Sequence, residues 1–286
     1  MAREHAYWKN IELPEATRDI AQMRHGLHEW GYCLIEDGLS QAQCSRMRHR
    51  IAEQAAAERD LGIAYVVASQ QHVWALVNKG ADFKGCLEHN QGSVQAGPLI
   101  ERLLDETLGP GWNHFSLLSN ISFPGCHPQP MHQDQTFIAP YNPLEAPVLV
   151  NTMYVLQDVN QVNGGTLFIP GSHRPNGRGG QNGLYGELPR PINLEAKAGT
   201  ILMFDGRMLH GSAVNGTGKM GDPNGSVAEI RRAFDAGDYR HVGEISPASV
   251  AGLGPDVFTL QGIQRANETF RTPEFLAQMA TLGVRP

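Results

Sequence analysis

The stretch Gln129-Pro-Met-His132-Gln-Asp134-Gln135 sets a histidine and an aspartate two residues apart. At an extended strand end that spacing turns both side chains to one face, so that one imidazole and one carboxylate can reach the same metal ion. A third donor is available in Phe204-Asp-Gly-Arg-Met-Leu-His210-Gly-Ser212, where His210 follows a strongly apolar run and projects from the rim of a β structure. Two histidines and one carboxylate on one face leave three coordination positions open, which suits iron(II) oxygen chemistry. Zinc-dependent hydrolysis or isomerisation is the next reading of the same donors. Cys126 lies close by in sequence, but soft thiolate ligation favours other metals and clusters.

The elements that must position these residues fall into two textures. In the first third, Ile20, Met23, Leu27 and Trp30 recur at helical spacing and Gly31 supplies the stop. A strand, Tyr32-Cys-Leu-Ile-Glu36, follows it. Ser40 with Gln43 three residues later has the form of a capping box opening a second helix, whose Cys44, Met47 and Ile51 share one side. From about residue 115 the chain changes to short apolar or alternating runs broken by Gly, Pro and Asn: 115–123, 148–156, 166–169, 192–196 and 200–204. That rhythm predicts a sandwich or barrel of antiparallel strands. Near the end, Thr272-Pro273 ahead of Phe275, Leu276, Met279 and Leu282, with Gly283 as stop, predicts a short amphipathic helix. No repeat or linker divides the chain, so one domain over 1–286 is expected, with a helical support over about 1–110, a β core over about 111–240 and a helical tail over about 241–286.

Composition narrows the partners. The formal charge of -6 is spread without basic runs, which removes the electrostatic footprint of a nucleic-acid binder. Nowhere do about 18 apolar residues run together, and the polar N-terminus holds no signal-like stretch, so a cytoplasmic protein without a membrane partner is expected. Cys33, Cys44, Cys86 and Cys126 stand far apart with no CxxC spacing, which predicts reduced, buried thiols rather than a zinc knuckle or a disulfide framework.

Four stretches then occur in a telling order: His72-Val-Trp-Ala-Leu-Val-Asn-Lys79-Gly, Gln129-Pro-Met-His-Gln-Asp134, Asn163-Gly-Gly-Thr-Leu-Phe-Ile-Pro-Gly-Ser-His173-Arg174, and Ala198-Gly-Thr-Ile-Leu-Met-Phe-Asp205 leading into His210-Gly-Ser212. With Asp134 and His210 separated by 76 positions, the chain over roughly residues 15 to 215 resembles the phytanoyl-CoA dioxygenase-like family of iron(II)- and 2-oxoglutarate-dependent oxygenases. The resemblance implies a mainly β fold with flanking helices, the double-stranded β-helix or cupin-like jelly roll. It also implies Fe(II), 2-oxoglutarate and O2 as cofactor and cosubstrates, with oxidative decarboxylation to succinate and CO2 driving oxidation of an unactivated C–H bond in a small organic molecule. Because Asp134 is present where halogenating relatives have a small residue, the resemblance implies hydroxylation over halogenation, with desaturation, ring formation and rearrangement left open.

Further roles carry over residue by residue. Gln129 resembles the family's amide that contacts the cosubstrate, and Ser212 its hydroxyl on the far carboxylate. Gly164-Gly165 and Pro170-Gly171-Ser172 read as turn chemistry, His173 as structural, and Arg174 as a residue lining the substrate pocket. The sequence departs from the family pattern after the distal histidine, where an arginine normally clamps the far carboxylate bidentately. Positions 219 to 222 read Lys-Met-Gly-Asp. The Gly221-Asp-Pro-Asn-Gly225 stretch is read as an enlarged turn and Ile230-Arg-Arg-Ala-Phe234 as the returning strand, which makes Arg232 the expected clamp, Arg231 the second choice and Lys219 a point-charge substitute. The glycine-rich stretches 176–183 and 216–226 read as solvent-exposed loops, with mobile lids as the other reading. No basic cluster for a nucleotide carrier is evident. A jelly roll that binds ligands without chemistry is the remaining rival.

Overall fold

The computed structural model describes residues 7–67, 70–138, 146–174, 189–216 and 244–250, with 137, 138 and 244–250 described by backbone alone. The helix expected over 272–283, the strand over 230–234 and the loops 176–183 and 217–226 lie outside these residues.

The helices α1 (Ile20–Trp30), α2 (Gln41–Asp60), α3 (Ala81–Glu88) and α4 (Gly97–Leu108) precede most of the β structure. Asp19 caps α1, its Oδ1 accepting from the Ala21 amide at 2.7 Å, and Ser40 and Gln43 form the reciprocal capping box that opens α2. Gly31 ends α1 at φ 79°, and a Cβ there would stand 2.6 Å from His173 Nδ1. Only glycine satisfies both the left-handed turn and the close approach. The chain therefore passes directly into β2 (Tyr32–Ile35), while the Gly31 carbonyl accepts from the Asp205 amide at 2.9 Å.

With β2 the strands are β1 (Ala16–Thr17), β3 (Tyr65–Val67), β4 (Gln70–Val73), β5 (Asn113–Ser122), β6 (Leu149–Val155), β7 (Thr166–Phe168), β8 (Ile192–Asn193), β9 (Ile201–Asp205), β10 (His210–Ser212) and β11 (Glu244–Val250). Among the described residues, eight of them form a large sheet in the order β1-β2-β9-β6-β11-β5-β4-β3, and β10-β7-β8 form a smaller one. The strands β2, β6 and β9 of the large sheet are buried on both faces, and the period of two sorts their side chains. Cys33 and Ile35 of β2, Val150 and Tyr154 of β6, and Ile201 and Met203 of β9 pack toward the helices with Met23, Met47, Phe83 and Ile100. Their neighbours Tyr32, Leu34, Met153, Val155, Leu202 and Phe204 pack against Phe168 and Ile192 of the small sheet. Two facing sheets, antiparallel but for the β1–β2 pair, with helices on the outer face are the jelly roll that the resemblance implied.

Sulfur follows the same division. Cys33, Cys44 and Cys86 lie in the helix-side core, and burial pushes the Cys33 and Cys86 thiols up to about 12. All four cysteines are free and buried.

One expectation fails at the boundary of the core. Glu244–Val250 was to begin a helical tail, yet it is the strand β11, inserted between β6 and β5. Pro247 obscures this in the sequence, because proline lacks the amide hydrogen that a central strand needs on both sides. The ladder accommodates it locally: Pro247 pairs with Leu117 on β5, whereas pairing with β6 runs over Glu244, Ile245 and Ala248 to Val250 and skips residues 246 and 247.

Candidate metal centre

The turn between β9 and β10 builds one wall of the site. Asp205 and Arg207 are both buried, and the Asp205 carboxylate accepts from the Arg207 backbone amide at 2.9 Å, from Nε at 2.9 Å and from Nη2 at 2.6 Å. Desolvating two charges costs several kcal/mol per ion, so the pair persists through this geometry rather than as a source of stability. It shapes the turn so that the Met208 carbonyl meets His210 Nδ1 at 3.0 Å. The opposite segment docks on the same turn: Gln135 donates its amide to the Gly206 carbonyl at 2.9 Å, and Gln133 Nε2 donates to the Arg207 carbonyl. Ser172 Oγ accepts from the Leu209 amide at 2.8 Å, and His173 Nε2 donates to the His28 carbonyl at 3.1 Å. These contacts bear out the turn and structural roles expected of Ser172 and His173.

His132 and His210 face each other as an antiparallel bridge, each amide donating to the other's carbonyl at 2.8 and 3.0 Å. Cross-strand partners share a face, and the two rings lie 4.3 Å apart between centroids. Asp134, two residues on, brings Oδ1 to 3.3 Å from His132 Nε2 and Oδ2 to 3.5 Å from His210 Nε2. One donor atom from each of the three lies within 4.8 Å of the others. His132 Nδ1 stands 2.8 Å from the Pro130 carbonyl. A carbonyl only accepts, so both Nδ1 atoms carry hydrogen and both Nε2 atoms are left to ligate, the tautomer that outer hydrogen bonds impose at metal sites. Burial alone would push the Asp134 carboxyl up, but His210 and His132 outweigh it and hold the group well below the usual carboxylate range. The donor set thus offers two imidazole Nε2 atoms and one ionised carboxylate, and it fits a divalent iron.

Around the triad stand residues that the sequence reading missed. Asn151 of β6 is buried and donates Nδ2 to Asp134 Oδ2 at 2.9 Å. Gln70 of β4, fully buried, donates Nε2 to Ser212 Oγ at 2.7 Å and to the His127 carbonyl at 2.9 Å, while Asn120 Nδ2 donates to Gln70 Oε1 at 3.0 Å. Asn151 left a trace, being an amide inside the apolar run 148–156; Gln70 left none without the strand register. The Gln129 backbone amide donates to Ser212 Oγ at 3.2 Å, made feasible by Gly211, where a Cβ would stand 2.8 Å from the Gln129 carbonyl oxygen. Arg174 sits at the C-terminal end of α1, donating to Glu29 Oε1 at 3.0 Å and to the His28 carbonyl. Arg231, Arg232 and Lys219 lie outside the described residues. Cys126 is not in the triad's group; its sulfur lies 3.9 Å from Gln70 Nε2.

Asn151 orients the ligating carboxylate, and its loss has a measurable consequence. Outer partners of metal ligands are worth about 10–100-fold in affinity, so Asn151→Leu should weaken cobalt(II) binding, followed by visible absorption, by about that factor at unchanged Tm of the metal-free protein. An unchanged cobalt affinity would remove Asn151 from this role.

Among the described residues no helix is long and apolar enough to cross a membrane. Comparison with known proteins agrees with the architecture. Dioxygenase aneA of Aspergillus aculeatus is 35% identical over 125 residues, covering 41% of this chain and 41% of its own. The Fe(II)/2-oxoglutarate-dependent dioxygenase nvfF of Aspergillus novofumigatus is 30% identical over 122 residues, covering 41% and 38%. The chain thus spans about two fifths of the length of these curated relatives. The solved structure of the non-heme alpha ketoglutarate dependent epimerase SnoN from nogalamycin biosynthesis superposes with a TM-score of 0.56 at 15% identity, over 85% of this chain and 90% of that one. The sequence model of the phytanoyl-CoA dioxygenase (PhyH) family matches residues 27–220, more than half of the chain, and the protein belongs to that family.

Proposed function

We propose that this chain is an Fe(II)- and 2-oxoglutarate-dependent dioxygenase that hydroxylates an unactivated C–H bond of a small organic molecule, with His132, Asp134 and His210 holding the iron. The observation that carries this reading is the pair of committed Nδ1 hydrogens, which leaves two Nε2 atoms converging on one carboxylate. Bound iron(II), with 2-oxoglutarate and O2, supplies an oxidant strong enough for such a bond and releases succinate and CO2.

The chain's own residues position, polarise and exclude. Pro130 and Met208 carbonyls hold the imidazoles in orientation, and Asn151 holds Asp134. Ser212 Oγ already accepts from Gln70 Nε2 and from the Gln129 amide, so its hydroxyl hydrogen is the part left to donate, and a cosubstrate carboxylate is the acceptor we assign to it. The Gln129 side chain is assigned to the same cosubstrate, Arg232 to its far carboxylate with Arg231 second, and Arg174 to the approach of substrate. The free, buried thiols support a reducing, cytoplasmic location.

Anaerobic titration of the metal-free protein tests the reading. A visible metal-to-ligand charge-transfer band should grow only when Fe(II) and 2-oxoglutarate are both present, and saturate at one iron per chain. Tight zinc binding with no such band would favour a hydrolase instead.

A further inference from the structure

The face of the large sheet that looks toward the metal carries more than the triad's neighbours. In β4 the side chains alternate. Gln71 and Val73 turn to the helices, Gln71 Nε2 donating to the Ala55 carbonyl at 3.1 Å and Val73 joining the helix-side core. Gln70 and His72 therefore turn to the interior, which the Gln70 contact with Ser212 confirms. Tyr65 pairs with His72 across the β3–β4 ladder and shares its face. Trp74 follows two residues after His72, its ring 6.0 Å away and nearly parallel at 16°. Tyr65 stands almost perpendicular to both, at 80° to His72 and 76° to Trp74, with centroids 5.7 and 6.1 Å away. The three rings make an aromatic corner that begins one strand position beyond the polar Gln70–Ser212 contact.

That corner is open rather than sealed. Tyr65 is 46% exposed and Val67, on the same face, 49%, so a flat partner can reach ring surface. Its charge is equally informative. Burial lowers the His72 pKa, which keeps the imidazole neutral at neutral pH. The nearby cations are committed elsewhere, Lys79 to Glu58 and Arg59 to the Phe123 ring and Gln71. The described side chains of this face from Tyr65 to Gln70 and Asn120 thus carry no formal charge. Glu244 stands opposite Asn120 in the ladder and is described by backbone alone.

We propose that Tyr65, His72 and Trp74 form the recognition surface for the substrate, and that the substrate carries a flat ring system rather than an acyl chain on a nucleotide carrier. Aromatic faces reward stacked and edge-on rings beyond simple burial, whereas the phosphates of a carrier such as coenzyme A require cationic partners. The substrate class rests on the oxygenase reading above; the binding surface does not.

Titration calorimetry on the protein loaded with Fe(II) and 2-oxoglutarate under argon tests it, using naphthalene-2-carboxamide as the flat probe, its saturated analogue decahydronaphthalene-2-carboxamide as the control without flat rings, and coenzyme A. The flat probe should bind most tightly, Tyr65→Ala should weaken it about tenfold, and Tyr65→Phe should restore it, because the ring and not the hydroxyl is used. Equal affinity for the saturated analogue, tighter binding of coenzyme A, or no effect of Tyr65→Ala would each overturn the proposal. The charge-transfer band separates this failure from that of the oxygenase reading: a band with Tyr65-independent binding sinks the surface alone, whereas Tyr65-dependent binding without a band sinks the iron chemistry and leaves the surface standing.

Discussion

His132→Ala, Asp134→Ala and His210→Ala should each reduce Fe(II) affinity by more than about 100-fold, exceeding the range seen when only an outer partner of a ligand is lost. Each deletes one of three protein donors, and nothing adjacent replaces it: among the described residues the group holds these three side chains alone. The protein should stay folded, because the bridge between residues 132 and 210 is made by backbone amides and carbonyls that alanine retains. Thermal denaturation checks both halves of the expectation. Metal at about 100 times its dissociation constant stabilises the wild type by about 2.7 kcal/mol, so Fe(II) should raise its Tm and leave the Tm of each variant where it was. Three variants with wild-type iron content and turnover would show that the metal lies elsewhere.

Arg232→Ala should raise the apparent 2-oxoglutarate constant by about two orders of magnitude or more at equal iron occupancy. A carboxylate in a water-poor pocket needs a cationic partner, and breaking such a pair costs about 3–5 kcal/mol, at about 1.4 kcal/mol for each tenfold. Ser212 cannot take over, since one hydroxyl donates one hydrogen bond. Arg231→Ala, on the opposite face of the same expected strand, should do much less. Steady-state kinetics with varied 2-oxoglutarate distinguish the outcomes. A reversed order means the strand is offset by one residue. Dependence on Lys219 alone means the clamp is an ammonium just after His210, and the enlarged-turn reading of 216–226 fails. Indifference to all three means that the cosubstrate is held from another strand or is not 2-oxoglutarate.

What the sequence made legible was local. The Gly31 stop, the Ser40–Gln43 box and the runs that became β6 and β9 are each specified by residues within one or two turns of one another, and their structures agree. The His-x-Asp spacing belongs to the same class, because two positions on an extended chain share a face whatever surrounds them. The supporting shell is not local. Asn151 reaches Asp134 and Gln70 reaches Ser212 across 17 and 142 residues of sequence, and no period in the sequence encodes such a juxtaposition. β11 was hidden for a different reason: Pro247 is a strand breaker by its own chemistry, tolerated only because the ladder skips it on one side. The contacts of Arg174 with Glu29 and the end of α1 are of the same non-local kind, 145 residues apart in sequence.

The sorting of side chains across the large sheet also bears on how such a catalyst ages. An oxidant that fails to find its substrate attacks what is nearest, and sulfur is the most vulnerable element in a protein. Cys33, Cys44 and Cys86 lie behind the sheet in the helix-side core, and Cys33 and Cys86 are held as thiols, the form that reacts slowly, by their burial. Cys126 alone of the four sits on the inner side, its sulfur against the Gln70 amide that touches Ser212. If the chain works as proposed, the sheet stands as a firebreak between the iron and three of the four thiols, and Cys126 is the one on the iron's side.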